Sequence, residues 1–82
     1  MYRSLHFVAS DPIDGLIRAL DPARRMGLAL RGVTLQSRTD SALIAMELDV
    51  PSDEAFSTLV VRVGALVGIS DVHCIPACEP HT

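Results

Sequence analysis

The sequence has no lysine, no tryptophan, one tyrosine, two phenylalanines and two cysteines. Each scarcity closes off a class of function. Without lysine there is no amine nucleophile for covalent catalysis. With 4% aromatics, ten acidic residues against seven arginines and a pI near 5.4, there is neither a basic stripe nor a set of stacking rings for nucleic acid. No apolar run approaches the ~18 residues of a membrane span. The opening MYRSLHFVAS, interrupted by His6 and followed by Asp11, makes a poor signal peptide. Cys74 and Cys78 lie too close together to staple a fold across its length, and nothing else points to an oxidising compartment. A cytoplasmic location is expected.

What is present is apolar surface. Of 82 residues, 49% are hydrophobic, and the mean hydropathy is +0.33. That length allows one domain, and a small domain has little interior relative to its surface. Part of the apolar area is therefore expected to meet another chain.

Residues 2–9 alternate as a strand, with Leu5, Phe7 and Ala9 on one side. Asp11 then offers an N-cap, Pro12 suits a first helical position, and Asp14 can reach back as in a capping box. Ile13, Leu16, Ile17 and Leu20 mark one face of the helix that follows. Pro22 predicts a kink or a restart capped by Asp21, and Gly27 ends the helix behind Arg24 and Arg25. From Leu28 to Arg38 a second strand changes its apolar phase between Leu30 and Val33, which one extra residue in a bulge at Gly32 reconciles. A turn at Thr39–Ser41 leads to a third strand with Ile44, Met46, Leu48 and Val50 inward. Ser52 caps a second helix carrying Phe56, Leu59, Val60, Val63, Leu66 and Val67, closed by Gly68. Ile69 to Ile75 forms a last strand before Pro76. The order is β-α-β-β-α-β. It predicts an α+β, ferredoxin-like fold with a four-stranded antiparallel sheet and two helices on one face, a single domain over 1–76, and a flexible tail over 77–82.

Candidate sites are few. The helix start at Asp11, Asp14 and Gly15 exposes N–H groups to an anion and carboxylates to an ammonium, although the same groups serve equally as caps. His73, Cys74, Cys78 and His81 are metal-compatible in type, but His73 and Cys74 point to opposite faces of a strand, so no metal site is expected. Cys74 reads instead as a small core residue. Arg18, Arg24, Arg25 and Arg31 cluster around the first helix and second strand, as a solvated face or a partner contact. His6 is the one plausible general base and has no visible partner, so catalysis is not expected.

Two stretches carry a resemblance. GLIRALDPARRMG (residues 15–27) is similar to a Leu-x-Arg-x-Leu helix ending in a basic turn and glycine. MELDVPSDEAFSTLVVRVGALVGISDV (residues 46–72) is similar to a strand, helix and closing strand of the same family. Together, from about Leu5 to Ile75, the chain resembles the ACT domain family, and within it the short regulatory (small) subunit of acetolactate synthase. The resemblance implies a non-catalytic subunit of branched-chain amino-acid biosynthesis that forms a homodimer, packs on the large catalytic subunit and activates it. Thiamine diphosphate, FAD and Mg²⁺ would belong to that catalytic partner and none to this chain. It further implies that paired domains join side by side and hold a branched-chain amino acid between them. The matching positions are Asp11, Asp14 and Gly15 on one copy and Ala29 and Leu30 on the other. The family's asparagine on the second strand is Ala29 here, and its loop glycine falls at Asp14, with Gly15 one place later. The chain is shorter than the feedback-inhibited subunits, which is the pattern of the isoform that supports its partner without valine sensitivity. The expected dimer edge is Ile13, Leu28, Leu30, Arg31, Val33 and Leu35. Two other readings stand beside this one: a stand-alone amino-acid sensor and a generic ferredoxin-like dimerisation module.

Overall fold

Six elements follow along the chain: β1 (Tyr2–Ala9), α1 (Pro12–Arg25), β2 (Ala29–Ser37), β3 (Ala42–Asp49), α2 (Asp53–Gly64) and β4 (Ile69–Ile75). The structure is a computed structural model. It describes residues 1–75, the last by its backbone alone, so the tail expected at 77–82, with Cys78 and His81, lies outside the described residues. The strands form one antiparallel sheet in the order β2-β3-β1-β4, the ferredoxin-like arrangement. Alternation on the two central strands builds the core. Leu5, Phe7 and Ala9 of β1 and Ala42, Ile44, Met46 and Leu48 of β3 are fully buried, beneath Phe56, Leu59 and Val63 of α2. Cys74 is half-buried and packs against this core from β4.

The helix α1 departs from its sequence reading. Its innermost residues are Gly15, Ala19 and Ala23, with Leu16 and Leu20 flanking them, whereas Ile13 and Ile17 are 72% and 61% exposed. Small residues at every fourth position let the helix lie close to the sheet, so the bulky side chains straddle the contact line. Ile17, expected in the core, thus stands outside it. Nor does Pro22 restart the helix, which runs unbroken from Pro12 to Arg25. Pro22 removes one N–H near the end of the helix, and the next bond, from Met26 N–H to the Pro22 carbonyl, forms at 3.0 Å. Asp21 caps nothing. Its carboxylate accepts from Arg24 at 2.7 Å and Arg25 at 2.9 Å.

The phase change in the second strand is a bulge. Leu30 pairs with Leu48 and Gly32 with Glu47, so Arg31 is the extra residue. A second bulge lies on β4, where Ser70 faces Val8 and His73 faces His6, leaving Asp71 and Val72 opposite Phe7. Asp71 adopts a left-handed φ of 52° there. The helix α2 starts on Ser52 as expected, its hydroxyl accepting from Ala55 N–H at 3.1 Å, but ends at Gly64 rather than Gly68. The Ala65 N–H folds back to the carbonyls of the last turn, which releases Leu66 and Val67 from the helix; Gly68, at φ 86°, then turns the chain into β4.

Candidate functional site

Asp11, Asp14 and Gly15 come together at the start of α1, and each has local work. One carboxylate oxygen of Asp11 accepts from Asp14 N–H at 3.1 Å, and the Asp11 carbonyl accepts from Gly15 N–H at 2.8 Å. Asp14 does not reach back to close a capping box; its carboxylate lies 3.5 Å from Arg18 one turn on. Gly15 is buried against Ala9 of β1, leaving no space for a Cβ. Pro12 has no N–H, and the cap takes that of Asp14, so little of the helix start is open to an anion. Its two carboxylates favour a cation there instead, such as an α-ammonium group.

Ala29 and Leu30 lie at the other end of the molecule. The register sets Ala9, Ala42 and Ser37 at one end of the sheet and Tyr2, Asp49 and Ala29 at the other. The length of α1, about 21 Å for its fourteen residues, separates the two groups. One chain therefore does not assemble both halves of the expected site.

Of the residues expected at a pairing edge, Leu30, Val33 and Leu35 share one side of one strand, and Arg31 turns to the other. β2 is an edge strand. Its Leu30, Val33 and Leu35 point to the helix side, opposite the core residues Leu48, Met46 and Ile44, yet remain 38–45% exposed. Leu28 is half-buried at the strand's entrance, and Arg31 at the bulge stacks over the Tyr2 ring, 5.0 Å from its centroid. At the start of the row, α1 contributes Ile17, which shares a groove with Leu28 and Leu30; Ile13 is exposed one turn earlier on the helix. The groove is open, about 860 Å³, and lined by Ile17, Leu20, Leu28, Leu30 and Leu66, with Arg18 and Arg24 among its polar residues. Small-molecule sites fall in this range, roughly 300–1,000 Å³. Sequence reasoning missed Ile17 and Leu66 as groove residues because both sat in helical stripes that read as core.

The arginines are largely occupied. Arg18, Arg24 and Arg25 pair with acidic residues of their own helix, and Arg3 binds Asp53 at 2.7 Å. The hydrogen bond from Arg24, aided by the charges of Arg24 and Arg25, holds the Asp21 carboxyl below its ordinary 3.8. On the sheet's open face, His6 has a partner the sequence hid. Its ring centroid is 5.4 Å from that of His73. Burial first, and the charge of His73 second, keep His6 below its ordinary 6.5. Among the described residues, no three metal-ligating side chains converge, and no helix is long and apolar enough to cross a membrane.

No family model matches the sequence, and no curated protein matches it. Solved structures match its shape. The ACT domain from GTP pyrophosphokinase of Chlorobium tepidum superposes with a TM-score of 0.78 at 12% identity, covering 92% of this chain and 97% of that one. The C-terminal domain of the MgtC protein from Mycobacterium tuberculosis gives 0.70 at 14% identity, with 89% and 83% covered. A homoserine dehydrogenase from Thiobacillus denitrificans gives 0.76 at 13% identity, covering 90% of this chain and 16% of the enzyme. At such identities the likeness defines the fold alone: this chain has an ACT-like, ferredoxin-like βαββαβ fold.

Proposed function

We propose that this chain is a non-catalytic regulatory domain of the ACT type, working as a homodimer joined along β2 and sensing an amino acid with a branched apolar side chain between its two copies. The observation that carries this reading is the exposed apolar row of Leu30, Val33 and Leu35 on a sheet edge, which runs at Leu30 into the groove lined by Ile17, Leu20, Leu28 and Leu66. A two-fold axis at this edge reverses the strand direction, so the start of β2 in one copy approaches the end of β2 in the other. Ala29 and Leu30 of one copy would then lie toward the Asp11–Gly15 end of its partner, an arrangement in which the separated halves meet. The carboxylates of Asp11 and Asp14 then attract the ligand's ammonium, while the apolar groove takes its side chain.

The test is thermal unfolding with valine, leucine or isoleucine at millimolar concentration, alongside sedimentation. A rise in Tm with at least one of them is expected, by mass action on the folded dimer. No shift with any of the three overturns the sensing role.

A finer reading rests on residues 15–27 and 46–72, which resemble the small subunit of acetolactate synthase. In it the homodimer packs on a cytoplasmic catalytic subunit, which carries the thiamine diphosphate, FAD and Mg²⁺, and shifts it toward its active conformation. Co-purification with such a subunit and a rise in acetolactate formation are expected. Absence of both removes this reading and leaves the sensor.

A further inference from the structure

The open face of the sheet carries a pair of histidines that neither the pairing edge nor the groove uses. His6 on β1 and His73 on β4 are direct cross-strand partners. They meet because of the β4 bulge. In unbroken register from Ser70 opposite Val8, Val72 would stand opposite His6 and His73 would face the core; the extra residue at Asp71 reverses this. Bulges commonly re-aim one side chain in this way beside functional sites.

We propose that His6 and His73 form a two-imidazole site for a borderline divalent transition metal, of which Zn²⁺, Ni²⁺ and Cu²⁺ are the types that imidazole selects. Two observations carry it. The first is spacing. With a metal–nitrogen bond of about 2.0–2.1 Å, a ring centroid stands roughly 3.2 Å from the ion, and two rings at a tetrahedral angle stand roughly 5.2 Å apart; the observed separation is 5.4 Å. The second is the tautomer. Nδ1 of His73 lies 2.9 Å from the Asp71 carbonyl, which only accepts, so Nδ1 carries a proton, and in the neutral ring Nε2 keeps the lone pair. A backbone carbonyl on the far nitrogen is the usual support of a metal-binding histidine. Two imidazoles come from the protein, and water completes the shell; beside His6 the sheet face forms a hollow of about 360 Å³, also lined by Ser4, Thr34 and Glu47. The site stands on one chain and does not depend on the dimer.

The experiment is titration of the full, chelator-stripped chain with Zn²⁺ by calorimetry, with Cu²⁺ electron paramagnetic resonance as a second readout. One Zn²⁺ per chain, a rise in Tm of about 5 °C or more at saturating metal, and a Cu²⁺ spectrum with nitrogen donors are expected. His73→Gln, at an exposed position, and His6→Gln each weaken binding at least tenfold, whereas His81→Gln binds as the parent does. His73→Gln alone settles the matter if His6→Gln fails to fold. Binding unchanged in His73→Gln, binding lost in His81→Gln, or no heat and no Tm shift with 100-fold excess Zn²⁺ (about 100 times the chain concentration) would each overturn the proposal.

Discussion

Gly15 shows how much one missing methyl group decides. It sits in the first turn of α1, where an added Cβ would run into the Ala9 side chain on β1. Alanine is the better helix former by roughly 1 kcal/mol, but overpacking a tight contact costs roughly 1–3 kcal/mol. Gly15→Ala is therefore expected to destabilise the chain by up to about 2 kcal/mol in urea unfolding, and Ala9→Gly in the same background to restore part of the loss. A stable Gly15→Ala would mean that helix and strand can separate at no cost. Asp11 and Ser52 were readable from sequence because a cap is a local event, settled within three residues. The core face of α1 was not. Its signal was Gly15, Ala19 and Ala23 at intervals of four, and small residues carry little weight in a pattern keyed to bulk.

At the scale of elements, α1 is held at its C-terminal end by charge. Asp21 binds Arg24 and Arg25, and its folded carboxyl titrates below 3.8. A depressed folded pKa contributes stability that is fully present above the unfolded value and lost as pH falls through the folded one. Asp21→Asn should thus be slightly less stable than the parent at pH 6, and the Tm gap should close as pH falls below 3.8 through the folded pKa. A gap that persists at the acid end would assign the difference to something other than these ion pairs. The same scale explains why one bulge was legible and the other was not. Leu30 and Val33 betray theirs by a change of apolar phase around Gly32. On β4 the left-handed residue is Asp71, with no glycine to mark it, so His73 was read beside Cys74 while its ring faces His6.

The whole molecule poses the question of its free edge. Six elements and their order were legible because the strand and helix periods differ and each helix is capped. The site was legible only in its parts, since Asp11 and Ala29 lie at opposite ends of one chain and no single-chain reading can say what joins them. Val33→Glu places a charge in the centre of the exposed row, where the monomer tolerates it and a paired edge does not. Sedimentation at micromolar concentration is expected to show a dimer for the parent and a monomer for the variant, with unchanged circular dichroism. Equal sedimentation of the two would remove β2 as the joining edge.

The strained turn at Asp71 bears on how many copies can join. A sheet with two flat, open margins invites stacking without end, one copy after another. Here β2 offers a regular apolar margin beyond its bulge, whereas β4 on the opposite margin is interrupted midway by its bulge. In the proposed dimer one margin joins and the other does not, so growth along the sheet would close after two copies, with Asp71 setting that limit.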